Sequence, residues 1–134
     1  MQANPYLDFN GRCEEAVEFY RRALGAEVMS INRFKDSPDP QMCSSQTADK
    51  IMHATFRIGE NTVMASDGHC TGSPSFHGFS LAINTANLAE AEKLFTALSE
   101  GGQVQMPLMK TFFSPGFGMC SDRFGVKWMV HVTQ

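Results

Sequence analysis

The residues with the most evident chemistry are four histidines, His53, His69, His77 and His131, together with Asp67 and a run of aromatic side chains around position 115. An imidazole can accept a proton, donate one or bind a metal near neutral pH, and an adjacent carboxylate orients it for general-base work. His53 and Asp67 are candidates for such a pair; the plainer assignment has Asp67 capping the turn into Gly68 while His53 packs on a sheet. Thr111-Phe112-Phe113-Ser114-Pro115-Gly116-Phe117 carries flat apolar rings on a connection containing Pro and Gly. Such a loop can fold over a ligand and stack on it, or Phe112 and Phe117 can seal the core. Met64, Met109, Met119 and Met129 supply adaptable thioethers, suited to a pocket for apolar ligands or to ordinary gap-filling. Cys13, Cys43, Cys70 and Cys120 include no Cys-x-x-Cys pair, which excludes zinc-knuckle and thioredoxin chemistry, and they read as reduced thiols.

The elements that must position these groups follow from periodicity. Pro5 to Phe9 alternates as a strand and ends at the turn pair Asn10-Gly11. From Glu14 to Leu24, apolar Ala16, Val17, Tyr20, Ala23 and Leu24 recur at helical spacing, with acidic residues first and Arg21-Arg22 last. Gly25 is the expected left-handed stop. Strands are predicted at 26–34, 51–58 and 62–66, the last two joined by a Gly59-Glu60-Asn61 hairpin, with a polar loop over 35–50 and a linker over 67–75. The pattern then recurs: a strand over 76–84, a helix opened by Asn87-Leu88-Ala89-Glu90 with the spacing of a capping box, and strands at 103–109, 116–121 and 126–133. Tyr20 and Phe95 are 75 positions apart and the stopping glycines Gly25 and Gly101 are 76 apart, which marks an internal repeat. Trp128, Val130 and Val132 share one face of the last strand and should pack under a helix.

The expected fold class is therefore α+β, a single domain over 1–134 made of two βαβββ modules, about 1–67 and 76–134, whose mixed sheets form a cup for a small ligand. A ferredoxin-like domain is the competing topology. A net charge of −3 with scattered Lys and Arg gives no basic field, so nucleic acid is not an expected partner. The apolar runs are short and interrupted and Met1 to Pro5 has no signal-like core, so a cytoplasmic protein without membrane insertion is expected.

Several segments in register resemble PhnB-like proteins: Pro5-Tyr6-Leu7-Asp8-Phe9-Asn10-Gly11, Glu14-Glu15-Ala16, Phe19-Tyr20, Leu24-Gly25-Ala26, Met52-His53-Ala54 and Met64-Ala65-Ser66-Asp67, then Phe117-Gly118-Met119 through Asp122-Arg123-Phe124-Gly125-Val126-Lys127-Trp128. The resemblance implies the vicinal-oxygen-chelate fold of glyoxalases, bleomycin-resistance proteins and extradiol dioxygenases, commonly as a homodimer. That family also carries a demethylubiquinone methyltransferase label. Methyl transfer is not expected here, because neither Asn10-Gly11 nor Thr85-Ala86-Asn87 is a Gly-rich cofactor turn.

Metal-dependent members of the superfamily converge His, Gln or Glu side chains on one divalent ion. In this sequence the corresponding positions fall at Pro5, Phe79 and Met129, with a fourth near Met64 or, two residues on, Ser66. The first three cannot act as ordinary ligands. His77 and His131, each two residues from a lost position, are the candidates for a relocated site; otherwise they line the pocket without metal. A divalent cofactor is thus disfavoured though open. Two functions follow: a metal-independent small-molecule binding protein, with ligand-binding residues His77, Phe79, Phe112, Phe113, Phe117, Met129 and His131, or a glyoxalase- or dioxygenase-type enzyme with relocated ligands.

Overall fold

A computed structural model describes residues 1–37, 47–68 and 74–133. Its contacts divide the chain into two compact units, Met1–Pro74 and Ser75–Gln134. The first unit runs β1 (Tyr6–Asp8), α1 (Cys13–Leu24), β2 (Glu27–Arg33), β3 (Ile51–Ile58) and β4 (Asn61–Ser66), with a single 3-10 turn at Phe34–Asp36 after β2. The second runs β5 (Leu81–Thr85), α2 (Leu88–Ser99), β6 (Gln103–Met109), β7 (Phe117–Ser121) and β8 (Lys127–Val132). Cys43, Cys70, His69 and most of the predicted 35–50 loop and 67–75 linker lie outside the described residues or at their borders.

Both sheets are mixed and have the same order, β1-β4-β3-β2 and β5-β8-β7-β6, with the first strand of each unit parallel to its last. This is the βαβββ pattern that the sequence predicts, twice. The repeat extends to detail. The two helices are each 12 residues long and begin 75 positions apart, at Cys13 and Leu88, and β2 and β6 are each seven residues long and begin 76 apart. Each of these edge strands is bulged near its start, at Met29 and at Gln105, and β6 also accommodates Pro107, whose missing N–H an edge tolerates.

Helix α1 forms because its apolar stripe has something to cover. Cys13, Ala16, Val17, Phe19 and Tyr20 are buried, and Tyr20 stacks on Phe56 of β3 at 5.9 Å. Gly25 ends the helix at φ +67°, as expected, with Glu14 and Glu15 in the first turn and Arg21 and Arg22 in the last. Helix α2 buries Ala91, Phe95 and Leu98, and Asn87 Oδ1 accepts from Glu90 N at 3.0 Å. Only that half of the expected capping box forms, since Asn87 N turns instead to Thr85 Oγ1. Trp128, Val130 and Val132 are buried on the face that α2 covers, as their alternation predicts. Removing each such side chain from water contributes about 1.5–3 kcal/mol.

The fifth strand is a correction. It begins at Leu81 rather than Phe76, because Gly78 takes φ +80° and turns the chain just before the sheet. Phe76 is buried, while His77 and Phe79 are exposed ahead of the strand. Strand alternation therefore does not govern where His77 and Phe79 point.

Two buried carboxylates fasten the units internally. Asp67, 1% exposed, accepts from Gly11 N at 2.8 Å and Cys13 N at 2.7 Å through Oδ1, and from Ile51 N at 2.8 Å through Oδ2. One side chain thus satisfies free N–H groups at the start of α1 and the first N–H of β3. In the second unit, Asp122 accepts from Phe124 N, Val126 N and Trp128 Nε1 at 2.9, 3.1 and 2.9 Å, fixing the β7–β8 turn against the core.

Cys13 and Cys120 are free, buried thiols. Burial, reinforced by the Asp67, Asp8 and Glu14 carboxylates, pushes the Cys13 thiol far above its ordinary range. Burial also raises Cys120, partly offset by a hydrogen bond with Ser99. Peptide-resolved alkylation at pH 8 should therefore label both at least about tenfold more slowly in the native protein than in denaturant, since the thiolate is the reactive form; equal rates would contradict this packing. Asp67→Asn presents an amide donor to backbone donors and should lower unfolding free energy by about 3 kcal/mol in urea titration, whereas a change below about 0.5 kcal/mol would remove Asp67 from its fastening role.

Candidate functional site

Because α2 covers one face of the second sheet, alternate residues of its strands are left on the other. On β8 these are Lys127, Met129 and His131, and on β7 they are Phe117, Met119 and Ser121, all partly buried. Strand pairing places them in rows: Asn84 beside His131 beside Phe117, and Ala82 beside Met129 beside Met119. The second row is apolar and flexible. The first is not.

His131 is held by Asn84, whose Oδ1 lies 3.0 Å from Nδ1. Phe117 and Phe113 each approach the imidazole at 6.1 Å, at interplanar angles of 69° and 43°. Phe113 meets Phe117 edge-on at 5.1 Å, and Phe112 meets Phe113 edge-on at 5.2 Å, so four rings form one contiguous chain. Edge-to-face pairs of this kind contribute about 0.5–1.5 kcal/mol beyond area burial. The loop that delivers Phe112 and Phe113 is pinned by Ser114, which is 1% exposed. Its Oγ lies 2.6 Å from Val132 O and 2.7 Å from Gly116 O, and its carbonyl accepts from Thr111 N at 2.9 Å. Phe112 is nonetheless 99% exposed and Phe113 47%. The alternative that Phe112 and Phe117 seal the core is thereby corrected: one ring stands in solvent and the other lies on the sheet face away from α2.

In the first unit the open face carries Tyr6, His53, Thr55 and Met64, with Tyr6 and Thr55 both paired in register to Met64. Tyr6 Oη lies 3.3 Å from His53 Nδ1, and His53 Nε2 lies 3.1 Å from Thr55 Oγ1. Both imidazole nitrogens are occupied. The candidate His53–Asp67 pair does not form, because the Asp67 carboxylate is spent on backbone N–H groups and His53 bonds elsewhere, closer to the plainer assignment in which Asp67 serves the backbone.

The positions considered for a metal are equally specific. The residue beside Met129 on β5 is Ala82 rather than Phe79, and the residue beside Met64 on β1 is Tyr6 rather than Pro5. Phe79 instead packs edge-on against Phe76 at 6.4 Å, and Pro5 contributes its carbonyl to Met64 N. Ser66 Oγ accepts from Gly68 N. His77 stands exposed ahead of β5, whereas His131 lies on β8 beside Asn84, Phe113 and Phe117. Among the described residues no three His, Cys, Asp or Glu side chains cluster. The open face of each sheet carries one imidazole, His53 in the first and His131 in the second, and charged residues such as Asp8 on β1 and Lys127 on β8 alternate onto those faces.

Asn84, Ser114, Tyr6 and Thr55 escaped the sequence reading as site residues. Nothing local marks them: Asn84 and His131 are 47 positions apart and meet only because β5 and β8 pair in parallel.

No helix among the described residues is long and apolar enough to cross a membrane. A family model described as 3-demethylubiquinone-9 3-methyltransferase matches residues 1–131. Protein YjdN of Escherichia coli K12 is 33% identical over 142 residues, covering 100% of this chain and 97% of its own. The crystal structure of PA1353 from Pseudomonas aeruginosa is 47% identical with TM-score 0.89, covering 100% of this chain and 98% of its own. A Bacillus cereus structure described as a putative 3-demethylubiquinone-9 3-methyltransferase, PhnB protein, is 27% identical with TM-score 0.83, covering 99% of this chain and all of its own. The fold is shared at 16% identity and TM-score 0.69 with a glyoxalase-related enzyme from Fulvimarina pelagi, over 99% and 88% of the two chains. The chain therefore belongs to the family described as 3-demethylubiquinone-9 3-methyltransferase, and it is similar to a PhnB protein of that description.

Proposed function

We propose that this protein binds a small, largely apolar molecule on the open face of its second sheet, without a divalent metal. The observation that carries this reading is the ring chain Phe112, Phe113, Phe117 and His131, held in place by Ser114 and Asn84 while Phe112 and Phe113 remain exposed. Exposed aromatic rings cost solvation free energy, and rings clustered on an anchored loop are preorganised for a flat partner. Met129 and Met119 extend the surface with side chains that adapt to ligand shape. His77 and Phe79, expected among the lining residues, stand before β5 and are not needed for this surface.

The methyltransferase label finds no support in the first βα turn. The N–H groups opening α1, where an anionic cofactor group is often received, are already bonded to Asp67.

Fluorescence titration of EDTA-treated protein with 8-anilinonaphthalene-1-sulfonate should give saturable one-site binding. Phe113→Ala should weaken it about tenfold with little change in Tm, in line with the loss of an aromatic anchor. Absence of saturable binding would overturn the proposal, and binding that needs an added divalent ion would move the reading to a metal-dependent glyoxalase- or dioxygenase-type enzyme.

A further inference from the structure

Resting on the ligand face just proposed, we infer that this face selects a flat ring bearing a hydrogen-bond donor, such as a phenolic hydroxyl, and that Nε2 of His131 is the group that receives it. Asn84 lies directly beside His131 in the parallel β5–β8 register, and its Oδ1 is 3.0 Å from Nδ1. A carboxamide oxygen only accepts, so Nδ1 carries the hydrogen and a neutral imidazole keeps its lone pair on Nε2. Asn84 is thus a positioning residue that sets both the orientation of the ring and its tautomer.

The two histidines on the sheets differ in what remains open. His53 has both nitrogens engaged, by Tyr6 and by Thr55. His131 has one engaged, and among the described residues no other hydrogen bond reaches it. Its ring neighbours are Phe113 and Phe117. A ligand stacked there strips water from Nε2, and unless it offers a donor the lone pair is left unpaired in apolar surroundings. That asymmetry makes a hydroxyl a requirement rather than an ornament, because a site with a polar group to satisfy discriminates strongly against an analogue that lacks the partner. Methionine and phenylalanine on the rest of the face impose shape only.

The test uses 2-naphthol and 2-methoxynaphthalene, which share a ring system and an oxygen but differ in the donor, titrated by intrinsic fluorescence into the full-length protein and into His131→Phe and Asn84→Leu variants. The wild type should bind 2-naphthol about tenfold more tightly than the ether, as one buried hydrogen bond implies. In His131→Phe that ratio should fall to within about twofold while the ether still binds, and Asn84→Leu should reduce it in the same direction. Equal binding of both probes by the wild type would overturn the donor requirement and leave the apolar face standing. A preference that survives in His131→Phe would overturn the role of Nε2. Failure of both probes to bind the wild type would overturn the ligand face itself, and this inference with it.

Discussion

The first unit hangs on a carboxylate that is almost wholly shielded from solvent. Asp67 follows β4 and gathers N–H groups from the β1–α1 turn and from the first residue of β3. It does so while its own N–H bonds to Ile51 O, so side chain and backbone clamp the same strand end. A buried carboxylate is tolerable only when it is well hydrogen-bonded, and here three backbone donors reach it. The arrangement fixes where α1 starts, and so which of its faces meets β3 and where Phe9 and Tyr20 meet, at a ring separation of 6.3 Å. The second unit uses Asp122 in a related way, with Trp128 Nε1 as one of its donors, so the largest side chain of β8 is oriented from the preceding turn.

Once each helix covers one face of its sheet, the opposite face is assigned by strand alternation. Burying Trp128, Val130 and Val132 necessarily turns Met129 and His131 the other way. The open face and the core are therefore two consequences of one packing decision. The same logic separates the histidines: His131 belongs to a strand with a buried alternate face, whereas His77 precedes the strand and is under no such constraint.

A fold of this kind hosts unrelated chemistries, so the site must carry the functional argument. Here the open face of the second sheet carries aromatic rings on an anchored loop. Ser114 is central to that character: its hydroxyl sits between the carbonyls of Val132 and Gly116, binding the loop to the strand that bears His131.

Much of this architecture was legible in the sequence. The helices, most strand limits, the left-handed stop at Gly25, the buried alternation of β8 and the 75-residue repeat follow from local patterns: a helix and a strand each write their period into a few consecutive residues. The site was legible only in part. The aromatic loop and His131 stood out by residue type, but the roles of Asp67 and His53, the displacement of His77 and Phe79 by the bend at Gly78, and the pairing of Asn84 with His131 did not. The Gly78 bend is local but carries no distinctive pattern, and the Asp67 and Asn84 contacts join segments far apart in sequence, as in the parallel pairing of Asn84 with His131. The sequence by itself determined which segments become helix or strand and which faces are apolar, because those preferences are local. The tertiary structure alone decided which polar atoms meet, because register between distant strands is set by how their buried faces pack together.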